Sequence, residues 1–119
     1  GSDGIDELTT TGPSTVVELK GGELRQFEVT PEDAGLARAS LDDIKGSDAD
    51  ENARIMTAML DGATGPIRDI VLFNTAAALI VADRAETLRD GVATAAEAID
   101  SGAARTPLEE LVAITNRTA

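Results

Sequence analysis

Apolar and polar positions alternate early in the chain and then change period. In Ser14–Lys20 (STVVELK) Val17 and Leu19 fall on one face, and in Glu23–Val29 (ELRQFEV) Phe27 and Val29 fall on one face. A spacing of two is that of a strand. Gly21-Gly22 separates the two runs, so together they predict a β-hairpin over residues 14–29. Residues 1–13 have no apolar period. Glycines, acids, threonines and Pro13 mark them as a loop.

After Val29 the period becomes helical. Five Ser or Thr residues are followed three positions later by an acid: Thr30/Asp33, Ser40/Asp43, Ser47/Asp50, Thr87/Asp90 and Thr106/Glu109. This is the capping-box pattern of a helix start. Pro31 and Pro107 stand where a first helical residue is expected, and Gly65-Pro66 predicts one further start. Ile55, Met56, Met59 and Leu60 form a stripe in 47–60, with Gly62 beyond it. Leu88, Val92, Ala95, Ala96 and Ile99 form another in 87–101, closed by Gly102. Leu108, Leu111, Val112 and Thr115 form a third in 107–116. The segment 66–82 is apolar nearly all round after Arg68-Asp69, which predicts the central, buried helix.

Composition narrows the chemistry. The chain has 119 residues, the size of one domain. Phe27 and Phe73 are its only aromatics, so the core must be built from Leu, Ile, Val and Ala. With no Cys there are no disulfides or thiolate metal sites, and with no His there is no imidazole base. Any metal is therefore hard and oxygen-bound, magnesium or calcium before zinc. The formal net charge is −12, with both halves acidic, which argues against nucleic acid and against an anionic membrane surface. The longest apolar run, 70–82, is too short to span a bilayer and is broken by Asn74 and Thr75. No signal peptide is visible, so a cytoplasmic location is expected and the sequon Asn116-Arg117-Thr118 carries no weight.

Much of the acidity has a structural explanation. Acids in a first helical turn accept from free backbone donors and oppose the positive helix end. Asp33, Asp43, Asp50, Asp90 and Glu109 fit that role. Three places remain for chemistry. DGIDE (residues 3–7) puts Asp6 beside Glu7 on a glycine-rich loop, a start for a hard cation site or simply a solvated loop. GSDADENA (residues 46–53) reads better as a capped acidic helix start, with Asn52 free to tie a neighbouring loop. Asn74, inside the apolar helix, must find a hydrogen bond, either within the core or to a loop near a site. No P-loop, dinucleotide fingerprint or nucleophile–base pair is present. No catalytic residue is assigned, and the substrate-binding residues stay unknown.

The ordered set GSDGIDELTTTGPSTVVEL, TPEDAGL, ASLDDIKGSDADENA, DIVLFNTAAALIVAD, AIDSGAA and LEELVAITN resembles the C-terminal third of the anthranilate phosphoribosyltransferases. The resemblance runs over essentially the whole chain. It implies transfer of a phosphoribosyl group from phosphoribosyl pyrophosphate to anthranilate, in tryptophan biosynthesis, by a magnesium-using homodimer. The family's Asp-Glu pair, which binds magnesium accompanying the pyrophosphate, maps onto Asp6 and Glu7. Family members are about three times as long. Their GTGGD-type pyrophosphate loop, Lys-His-Gly segment, Ser/Thr phosphate contacts and anthranilate-facing arginine have no counterpart here.

The expected architecture is therefore an α+β fragment of an α/β glycosyltransferase domain, of nucleoside-phosphorylase-like fold. It comprises a metal-site loop (1–13), a hairpin (14–29) and a helical region (30–119) of five or six helices. Alone, it is expected to be inactive and to self-associate through apolar faces that would otherwise meet a larger sheet. Two rivals remain: a pyrimidine nucleoside phosphorylase-like glycosyltransferase fragment, and a stand-alone, non-catalytic binding or assembly module.

Overall fold

The computed structural model describes residues 1–117. Thr118 of the sequon and the last two positions of the expected helical region lie outside that range. Strands β1 (Ser14–Lys20) and β2 (Glu23–Val29) pair antiparallel with the expected bounds. Gly21 and Gly22 have φ of 60° and 84°. A two-residue turn with positive φ at both central positions is the type I′ hairpin turn, which glycine adopts without steric cost.

A 3-10 turn (Pro31–Ala34) and five helices follow: α1 (Leu41–Ile44), α2 (Ala49–Leu60), α3 (Pro66–Val81), α4 (Leu88–Asp100) and α5 (Arg105–Thr115). Among the described residues no helix is long and apolar enough to cross a membrane.

The expected caps form at Thr30/Asp33 and Ser40/Asp43, where the acid accepts from both backbone and hydroxyl of the capping residue. At α4, Thr87 Oγ1 accepts from Asp90 N and donates to the Asp90 carboxylate. Two expected caps do not form. The cap of α2 is Asp48, which accepts from Glu51 N at 2.9 Å, because Ser47 is already held by the Asn52 amide. The start of α5 has no side-chain cap. The chain leaves α4 through Gly102 and coils directly onward, with Arg105 N donating to Gly102 O, so Thr106 is already helical. Pro107 then stands third in the helix, where its missing N–H costs no intrahelical bond.

Helix α3 is central, as its composition predicts. Leu72 packs with Met59, Ala95 and Ile99, while Phe73 packs with Val29 and Ala34. Val92 touches both clusters. The hairpin lays Val16, Phe27 and Val29 over the Phe73 cluster. Its outer face leaves Val17, Leu19 and Leu24 62–74% exposed. Burial of α3 is not all round, since Val71 and Val81 face outward. The α5 stripe is not buried either: Leu111 and Val112 are about half exposed.

The α3–α4 crossing is closest at Gly91, where a Cβ would stand 2.7 Å from both Cα and Cβ of Ala76. Ala76 is fully buried and cannot yield without moving α3. Gly91→Ala should therefore destabilise by about 1–3 kcal/mol through overpacking. The ~1 kcal/mol that alanine gains over glycine in a helix offsets part of that loss and leaves a net cost of up to about 2 kcal/mol. Urea unfolding checks this; a stabilised variant contradicts the close crossing.

Candidate functional site

The loop before β1 is a polar knot. Asp3 accepts from the hydroxyls of Thr9 and Thr11 and from Ile5 N. Thr9 N donates to Ser14 Oγ at 2.9 Å. Thr9, Thr10 and Ser14 are essentially fully buried. These bonds fold residues 3–14 back on themselves and commit Asp3 to internal structure. The hydroxyls of Thr11 and Thr9 lower the Asp3 pKa to about 2.

This sets a pH expectation. A depressed carboxylate contributes stability that is whole above its unfolded value, near 3.8, and lost as pH falls toward 2. The knot should open only in that acid window. In an NMR titration the Asp3 carboxyl carbon should show a midpoint near pH 2. A midpoint near 3.8 would mean that the threonines do not hold it.

Asp6 and Glu7 differ from Asp3. Both are exposed, and neither is bonded or ion-paired within the described residues. With Leu8, Ser14, Val16 and Asn74 they line a cleft of about 340 Å³. The backbone around them is pinned on both sides. On the N-terminal side Ile5 N is held by Asp3. On the C-terminal side Leu8 N donates to Asn74 Oδ1 at 2.9 Å, while Asn74 Nδ2 donates to Leu8 O at 2.9 Å and Ile70 O at 3.0 Å. Asn74 is thus satisfied by a loop as well as by its own helix. Asn52 makes a similar clasp on Ser47, and GSDADENA is a capped helix start.

Chemically, the pair offers hard oxygen donors that no internal bond consumes. Among the described residues no group of three or more potential ligands gathers. A magnesium ion takes six oxygens, so two carboxylates suit one whose shell is completed by water and phosphate oxygens. The donor set fits that kind of site and no closed all-protein cage.

The sequence singles out Asp6, Glu7 and Asn74 as candidates but gives no direct hint of the hub role of Asp3. The available signal was the hydroxyl run Thr9–Thr11 close behind an acid.

The chain matches the glycosyl transferase family, a/b domain, over residues 1–105. It is 65% identical over 98% of its length to an anthranilate phosphoribosyltransferase of Parvibaculum lavamentivorans, and 55% identical over 97% to one of Rhodopseudomonas palustris. It covers 34% of each, so it spans about a third of the curated relatives it matches. Among solved structures, anthranilate phosphoribosyltransferase from Saccharomyces cerevisiae in complex with PRPP and Mg superposes with a TM-score of 0.82 at 30% identity. That match covers 92% of this chain and 32% of the yeast one. The Thermus thermophilus enzyme gives 0.82 at 38% identity, over 93% of this chain and 33% of its own. The hairpin, the helical region and the loop before them are thus a piece of a known architecture, and the chain belongs to the glycosyl transferase family, a/b domain.

Proposed function

We propose that this chain forms the C-terminal third of an anthranilate phosphoribosyltransferase, and that Asp6 and Glu7 are its magnesium ligands. The observation that carries the reading is 65% identity to such an enzyme over 98% of the chain. In the reaction, the amine nitrogen of anthranilate bonds to the anomeric carbon of phosphoribosyl pyrophosphate as the bond to pyrophosphate breaks, and the nitrogen releases one proton to solvent. Because the amine is the nucleophile, the lack of histidine is no obstacle. Magnesium, when bound, offsets the negative charge that builds on the departing pyrophosphate. This chain's part is to hold two carboxylates at a fixed place on a pinned loop, facing the cleft. The remaining substrate contacts belong to the two thirds of the enzyme that this chain does not span. The whole enzyme is read as a cytoplasmic homodimer.

The test replaces the matching segment of the Parvibaculum lavamentivorans enzyme with this chain. Anthranilate fluorescence is then followed with phosphoribosyl pyrophosphate present. The chimaera should consume anthranilate at a rate within about tenfold of the host enzyme. A folded chimaera that consumes none contradicts the reading.

Isolated, the 119-residue chain should be inactive and should self-associate. Val17, Leu19 and Val81 line an apolar groove of about 290 Å³ between β1 and α3, next to an open strand edge. Sedimentation should show species larger than 12.3 kDa at high concentration; a strict monomer contradicts this.

A further inference from the structure

We infer that Asn74 is a positioning residue for the Asp6–Glu7 pair, acting through the Leu8 peptide unit; the inference rests on the magnesium reading above. Among the described residues Asp6 and Glu7 make no hydrogen bond of their own, so it is their backbone that places them. Most bonds of the loop knot run between its own members, Asp3, Thr9, Thr11 and Ser14. Thr9 N–Ser14 Oγ ties the loop to β1 and Thr10 O accepts from Ala39 N, but neither bond reaches the central helix. Asn74 supplies the link to the central helix, 66 residues away in sequence.

The form of the link matters. The Asn74 amide accepts from Leu8 N and donates to Leu8 O, each at 2.9 Å, as a neighbouring strand would. Two antiparallel bonds restrain both the position and the rotation of the residue that follows Glu7. Its second amide hydrogen goes to Ile70 O, which fixes the amide plane against α3. Leu8 lies on the wall of an open cleft, where water would satisfy its N–H and C=O. The side chain replaces mobile water with a rigid support. A site whose ligands are set by backbone alone depends on such support, because small displacements weaken metal and substrate contacts.

The experiment uses the chimaeric enzyme with Asn74→Ala. The magnesium concentration for half-maximal activity should rise at least fivefold, with excess magnesium restoring most of kcat and the anthranilate KM changing less than twofold. A second readout needs no activity: in the metal-free protein, hydrogen exchange of the peptide covering residues 5–9 should speed up at least tenfold, with 88–100 unchanged. A merely structural role predicts loss of active protein with unchanged magnesium dependence, and that result overturns the inference. Asp6→Asn and Glu7→Gln serve as controls. If they shift the magnesium dependence and Asn74→Ala does not, the positioning role fails alone. If they do not shift it, the magnesium reading fails and the inference with it. Should Asn74→Ala not fold, Asn74→Ser, which is also too short to span both Leu8 groups, is read in the same way.

Discussion

Replacing Asp6 with Asn, or Glu7 with Gln, in the chimaeric enzyme is expected to lower kcat/KM by about 10²–10³-fold, the usual loss when one charge-stabilising group is removed. The substitutions keep size and shape and remove only the negative charge. Neither carboxylate is hydrogen-bonded or ion-paired in the described structure, so the fold should not register the change. Melting temperature should stay within about 2 °C, in line with the small effects of substitutions at exposed, unbonded sites. Raising magnesium should recover part of the loss. Steady-state kinetics with anthranilate fluorescence measures it, and full activity in either variant rules out the assigned role. Asp3→Asn makes the opposite control. It should disturb the loop first and activity as a consequence, because Asp3 accepts three internal bonds.

The second large effect is structural. Phe73 is fully buried and is one of only two aromatics in the chain. It joins Val29 of the hairpin to Ala34 of the 3-10 turn, with Leu8, Val16 and Leu88 packed around them. Phe73→Ala should cost about 3–5 kcal/mol, from lost transfer energy and the cavity left behind. A domain of this size has only about 5–15 kcal/mol in hand. Aliphatic neighbours cannot fill a ring-sized void without moving α3. Urea denaturation of the chain should show a large fall in midpoint, or no folded baseline. A change below about 1 kcal/mol contradicts the placement of Phe73 as the link between hairpin and helices.

Elements governed by local chemistry were legible in the sequence. The hairpin bounds follow from alternation and from Gly21-Gly22, whose turn needs positive φ twice. The caps of the 3-10 turn, α1 and α4 follow from side chains bonding their own backbone three residues away. Helix α3 was marked by its composition alone. What was not legible depends on who meets whom at long range. Thr106/Glu109 has the right letters, but the preceding turn had already started α5, and no local rule reports that. The α5 stripe has helical spacing, yet periodicity does not say what will cover it. Gly91 reads as a weak helix residue until Ala76 is seen 2.7 Å from its missing Cβ.

The site divides the same way. Asp6 and Glu7 were legible as a hard-ligand pair only because the order of segments along the chain resembles a family. Spacing alone left them open to a solvated-loop reading. The structure separates them from Asp3, which composition could not do, since all three are acids within five residues. Asn74 stands out in the sequence because an amide in an apolar helix must be satisfied. Its partner, Leu8, is set by tertiary packing.

On the magnesium reading, Asp6 and Glu7 hold the ion that accompanies the pyrophosphate. Manganese, which also favours carboxylate and water oxygens, is the spectroscopic stand-in. The direct measurement is a titration of Mn²⁺ into the chimaera saturated with phosphoribosyl pyrophosphate, read by the paramagnetic resonance of free ion. With Asp6→Asn and Glu7→Gln combined, binding should weaken at least about tenfold while phosphoribosyl pyrophosphate still binds, as expected when charged ligands of a hard cation are lost. An identical Mn²⁺ isotherm for the unaltered and the doubly substituted protein would contradict the account.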